Sequence, residues 1–137
     1  MADADTRRTA TNQPSNQAWF ERAVEAAGHA IFITDTDGRI VYVNPAFESI
    51  TGYDAADAIG RTPNLLNADH HDQSYFCRLW TTIRAGEVWR EEIVNRRAGG
   101  ERYVAEQTIA PITDEDGDIT HFVSIQTDVT ERREHEL

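Results

Sequence analysis

The chain has 137 residues, enough for one domain with a single modest core and too few for a second. Its 24 acidic residues outweigh 13 basic ones, every one an arginine, giving a net charge of -11 with no basic stripe to neutralise nucleic-acid phosphates. The single cysteine, Cys77, excludes an internal disulfide and fits a reducing compartment, and no apolar run approaches the roughly 20 residues that span a bilayer.

Residues 1–14 are polar and aperiodic, so they are expected to be disordered. Ser15 or Asn16 caps a helix over about residues 17–27, with Phe20, Val24 and Ala27 on one face, Trp19 and Ala23 beside it, and Gly28 as its stop. That stripe covers either the domain's own sheet or the same helix of a second copy. Residues 30–34 and 39–44 form a hairpin around Asp37-Gly38, since this dipeptide supplies the turn conformation between apolar runs.

Pro45 then opens a short helix through Phe47, Ile50 and Thr51 that ends at Gly52. Residues 54–60 read as a second short helix, and 61–71, with Pro63 and several asparagines, as irregular loop. A longer helix over about 72–84 presents Phe76, Leu79, Trp80 and Ile83 at i, i+3, i+4 and i+7. Three strands follow at 89–97, 102–112 and 119–127, closed by Asp128-Val129-Thr130-Glu131, which caps a charged helix start over 131–137. This order predicts an α+β fold: a five-stranded antiparallel sheet with helices on one face and a flanking helix at each end. The core runs over residues 29–130.

Strand parity places Trp89, Glu91, Ile93 and Asn95 on one face, with Tyr103, Ala105, Gln107 and Ile109 and with Phe122, Ser124 and Gln126. A pocket lined by Asn95, Tyr103 and Gln126 is consistent with that face; equally, Trp80 and Tyr103 are core aromatics and the two amides are satisfied by backbone. Catalysis finds no support: there is no Gly-rich phosphate loop, HExxH pattern or nucleophile elbow. The carboxylates of 114–118 and the segment 97–101 are hairpin-turn chemistry. The polar, acidic N-terminus argues against a signal peptide and places the domain in the cytoplasm. An acidic, lysine-free surface is that of a high-salt organism or of a genome favouring Arg codons. The end at 131–137, partway into a helical pattern, is what a piece of a longer protein would show.

The hairpin Ile33–Val43 running into Asn44-Pro45-Ala46-Phe47, the three-strand meander and the Asp-x-Thr ending together resemble a PAS domain, over roughly residues 19–131. The resemblance implies a sensory module of a histidine kinase, a transducer-like protein or a transcription regulator, with its effector in the same longer chain. It also implies a homodimer, while the missing basic stripe and spanning run speak against direct contact with nucleic acid or membrane. Trp80, Asn95 and Tyr103 resemble the residues that line the FAD pocket in redox-sensing nitrogen-fixation regulators, and Gln126 the glutamine that bonds the flavin ring in blue-light LOV domains.

FAD or FMN is therefore the implied cofactor, with Gln126, Asp128 and Thr130 passing the signal to the following helix. The LOV photochemical cysteine is absent, Pro63 standing in that loop, so a covalent flavin–thiol adduct there is excluded. The loop arginine for the flavin phosphate is replaced by Asn64, and Glu91 sets a carboxylate on the pocket-facing side. Haem is a weaker alternative, resting on His71-Asp72, which resembles the start of the helix bearing the axial histidine in oxygen-sensing PAS kinases. A metal site from Asp69, His70 and His71 lacks a distant fourth ligand. The other functional class is a ligand-free interaction module, in which Trp19 and Phe20 to Ala would abolish a dimer.

Overall fold

The computed structural model describes Arg22, Ala23 and residues 28–130. The segment 1–14, the Trp19, Phe20, Val24 and Ala27 stripe and the helix over 131–137 lie outside the described residues.

Strands β1 (Ala30–Asp35) and β2 (Ile40–Val43) pair antiparallel. The turn between them is fixed by Asp35, whose Oδ1 accepts from Asp37 N and Arg39 N at 2.9 Å each. Helix α1 (Pro45–Thr51) begins on Asn44, which caps Phe47 N and so fills one of the orphan donors of a helix start. The Asn44 amide also accepts from Ile31 N and donates to His29 O, tying the helix to β1. Helix α2 (Ala55–Ala58) is a single turn, and a 3-10 turn (Pro63–Leu66) lies within the segment expected to be irregular. Helix α3 (Gln73–Arg84) is capped by Asp72.

Strands β3 (Trp89–Arg96), β4 (Arg102–Thr113) and β5 (Ile119–Asp128) complete a sheet of order β2-β1-β5-β4-β3, antiparallel throughout. This is the predicted α+β arrangement. In the β4–β5 turn Asp114 Oδ1 accepts from the Asp116 and Asp118 amides, so the acidic run serves the turn, as expected.

The core falls into two clusters on the helix-bearing face. In the first, Tyr75, Leu79 and Ile83 of α3 pack on Trp89, Ile93, Tyr103, Ala105, Ile109 and Phe122 of β3 to β5. In the second, Phe47 and Ala58 pack with Leu66 on Ala30, Phe32, Ile40 and Val43 of the β1–β2 hairpin. The two do not close completely on one another.

Candidate functional site

Between the two clusters lies a cavity of about 450 Å³, within the size range of small-molecule sites. Its apolar walls come from Phe32 and Leu66 on one side and Leu79, Trp80, Ile109 and Phe122 on the other. Trp80 packs edge-on against Phe122, with ring centroids 6.0 Å apart, and reaches across to the β1–β2 turn. There Gly38 has φ +88, and a Cβ on it would stand 3.1 Å from Trp80 Cη2, so both backbone geometry and space require glycine.

The sheet supplies the polar floor. Asn95, 3% exposed, donates Nδ2 to Gln126 Oε1 at 3.3 Å, and both line the cavity. Asn67 joins them from the 3-10 segment through an isolated bridge to Asn95. Among the described residues that line the cavity none is charged and none is a cysteine. Burying a neutral polar edge in such a site is cheap when amides offer both donors and acceptors, whereas burying a charge is not.

Trp80, Asn95 and Gln126 thus share one cavity. Tyr103, expected at its wall, lies one layer behind: it pairs directly opposite Asn95, accepts from Asn95 Nδ2 at 3.4 Å and is 1% exposed. Its ring is covered on one side by the Arg97 guanidinium, 4.3 Å from the centroid. Glu91 is also corrected. It shares the parity of the buried Trp89 and Ile93, but it is exposed and is not among the residues that line the cavity, so no carboxylate faces the cavity. Cys77 is exposed on α3 and does not line the cavity.

His71, the residue offered to iron by the haem alternative, has another job. Its Nε2 accepts from Val94 N at 3.0 Å and its ring stacks on Tyr75 at 3.9 Å, so the nitrogen is already engaged. Burial, with His70 nearby, holds its pKa below the usual imidazole value, Asp72 opposing. The residues that sequence reasoning passed over as site residues are Gln107 and Ser124, both buried and both on the cavity floor. Their signal was a glutamine at an inward strand position between Ala105 and Ile109.

Below the floor, polar contacts continue to the end of β5. Arg97 bonds Asp128 Oδ2 at 2.8 Å and the Ile50 carbonyl at the end of α1. Asp128 Oδ1 accepts from Thr130 N at 3.0 Å and Thr130 Oγ1 at 2.7 Å. Thr130 Oγ1 in turn accepts from Val104 N, and Val129 N donates to Val104 O. The junction 128–130 is therefore bolted to β4. Burial alone would raise the Asp128 pKa, but the bonds from Arg97 and Thr130 outweigh it and hold the carboxyl below its ordinary value.

Tyr103 carries a titration prediction. Burial pushes its hydroxyl up to about 12, against a hydrogen bond from Asn95 that pulls the other way. A phenol that ionises near 10 when unfolded and near 12 when folded contributes stability that is present below pH 10 and lost as pH rises through 12. Tyr103→Phe is expected to flatten part of the alkaline limb of a denaturation curve. Tyr75, also held at about 12 chiefly by burial and then by Glu91, retains the rest.

The PAS domain family profile matches residues 28–131. A nitrogen fixation regulatory protein of Klebsiella oxytoca is 32% identical over 111 residues, covering 81% of this chain and 22% of that protein. A blue-light-activated histidine kinase of Brucella ovis is 34% identical over 114 residues, covering 81% of this chain and 23% of its own. Among solved structures, an RNA-binding Light-Oxygen-Voltage receptor superposes with a TM-score of 0.81 at 30% identity, covering 99% of this chain and 38% of that one. The chain spans about a fifth of the length of these two curated relatives. The fold, the profile match and these similarities agree: the chain belongs to the PAS domain family.

Proposed function

We propose that this is a cytoplasmic sensory input domain that holds a neutral planar ring, FAD or FMN by resemblance, and catalyses nothing itself. The observation that carries this reading is the uncharged, amide-floored cavity of about 450 Å³ whose Gln126 stands on the same strand as Asp128. One named relative is a blue-light-activated histidine kinase and one solved neighbour a Light-Oxygen-Voltage receptor, which supports a sensory role. The donor set fits an isoalloxazine edge, with Asn95 and Gln126 as its amide partners and Trp80 and Phe122 as aromatic wall. A bound flavin would supply light absorption and reversible electron uptake. With no lining cation, a phosphate tail would lie outside the cavity.

Transmission follows the bonds already described. A change in what Gln126 bonds releases or recruits Asn95 Nδ2, and the same Nδ2 also donates to Tyr103 Oη. Tyr103 underlies Arg97, and Arg97 holds Asp128 and hence Thr130. A ligand that favours one arrangement of this chain biases the angle at which the chain leaves β5. The domain would act as a homodimer on an effector in the same longer chain.

Protein purified in high salt is expected to show flavin absorption and to release FAD or FMN on denaturation. Cys77→Ser should leave both unchanged, since that thiol lies outside the cavity. A colourless protein that releases nothing and takes up neither FAD nor FMN on refeeding would overturn the flavin reading and favour a ligand-free pairing module.

A further inference from the structure

The cavity floor contains a second glutamine that the protein leaves half satisfied. Gln107 is 5% exposed and lines the cavity; its Nε2 donates to Ser124 Oγ at 3.4 Å, but its Oε1 has no partner. No neighbouring donor bonds it, the Gln126 Nε2 across the strand pair included. Directly across on β5, Gln126 Oε1 is itself an acceptor taken by Asn95. The inward side chains that precede and follow Gln107 on β4 are Ala105 and Ile109. A buried carbonyl without a donor is destabilising, so an apolar side chain would suit this place better if packing were its whole role.

We infer that Gln107 Oε1 is a ligand-recognition atom, selecting a neutral planar ligand that brings an N–H or O–H donor to the cavity floor. The donor must arrive about 5 Å from the group that meets Gln126, because the two glutamines are cross-strand partners. The inference rests on the ligand-binding reading above and adds to it the hydrogen-bond polarity of the ligand. Asn95 and Gln126 present both donors and acceptors, so they discriminate poorly between ring edges; a lone acceptor discriminates well, because a ligand lacking the donor leaves it unpaired. An isoalloxazine meets the requirement through its ring N3–H.

The test is Gln107→Met, which keeps the side chain's length and removes the acceptor. In ligand-free protein that also carries Ser124→Ala, so that no hydroxyl is left without its Nε2 donor, Gln107→Met is expected to raise the melting temperature above that of the natural protein by roughly 3–6 °C, since a buried unpaired oxygen is gone. A melting temperature that is unchanged or lower would overturn the inference, because the oxygen would then be satisfied within the protein. Ligand-free melting needs no flavin, so it is decided even if the flavin reading fails.

Binding is then measured by fluorescence titration with lumiflavin and with 3-methyl-lumiflavin, which lacks the N3–H. Methylation is expected to weaken binding to the natural protein about tenfold or more and to matter little in Gln107→Met. An equal methylation penalty in both proteins would overturn Gln107 as the acceptor for that donor. If the natural protein binds neither probe while Gln107→Met with Ser124→Ala still melts higher, the flavin reading falls. The unpaired acceptor then stands, selecting a donor-bearing ligand outside the flavins.

Discussion

Replacing Arg97 with methionine should leave ligand in the cavity yet disconnect it from the end of β5. Arg97 joins the Ile50 carbonyl, Asp128 Oδ2 at 2.8 Å and the Tyr103 ring. Methionine preserves the stem that packs on Tyr103 and deletes the charge, leaving Asp128 part-buried without its cation. Breaking such a pair from one side costs about 2–3 kcal/mol, a substantial share of the roughly 5–15 kcal/mol that hold a domain folded.

The Arg97 side chain bonds Glu101, Ile50 and Asp128 and covers Tyr103, none of which lines the cavity, so ligand affinity should change less than about threefold. Hydrogen exchange provides the readout, with the amides of Thr130, Val129 and Val104 losing protection because their bonds lie within residues 128–130 or join them to β4. The pH profile should shift too. Because the folded pKa of Asp128 is depressed, its stabilising effect is present above the unfolded value of 3.8 and is lost as pH falls through the folded value. In Arg97→Met that acid loss should shrink. Unchanged protection at Thr130 would remove Arg97 from the coupling.

The second large effect is on folding. Phe47→Ala should destabilise the domain by about 3–5 kcal/mol, since a fully buried ring leaves a hole that its surroundings fill only in part. Phe47 lies edge-on to Phe32, centroids 5.7 Å apart, and Phe32 is also a cavity wall. The substitution should therefore weaken ligand binding as well as stability, whereas Val41→Ala, at an exposed site, should do neither. Urea denaturation of the three proteins decides it; a loss below about 1 kcal/mol for Phe47→Ala would mean that α1 is not needed to hold β1 in place.

Much of the fold was legible because its signals are local. Asp37-Gly38 wrote the first turn, Pro45 the start of α1 and the spacing of Phe76, Leu79, Trp80 and Ile83 the helix α3, and a period of two assigned the strand faces. The site was legible in part for the same reason: parity put Asn95 and Gln126 on one face, and their bond follows from the register of β3, β4 and β5. What parity cannot give is depth. Tyr103 and Asn95 share a face, but only the sheet's third dimension puts the ring behind the amide.

Glu91 is solvated while Trp89, Ile93 and Asn95 on the same strand and face are buried, a difference in cover that sequence spacing does not carry. The job of His71 depends on Val94 N, 23 positions away, and the lone acceptor of Gln107 on which neighbours fail to reach it. Such absences leave no mark on a chain read residue by residue.

The sheet order has a mechanical consequence. β1 and β5 lie side by side and antiparallel at the sheet's centre, with Ala30 opposite Gln126 and the His29 ring bonded to Thr127 Oγ1 at 2.6 Å. A tension applied between residues 29 and 128 would thus act on the same end of both strands and peel them apart one pair at a time, instead of shearing all their bonds together. Peeling needs little force. The first pairs to part include that of Gln126, so a pull too weak to unfold the domain would already be felt at the cavity floor.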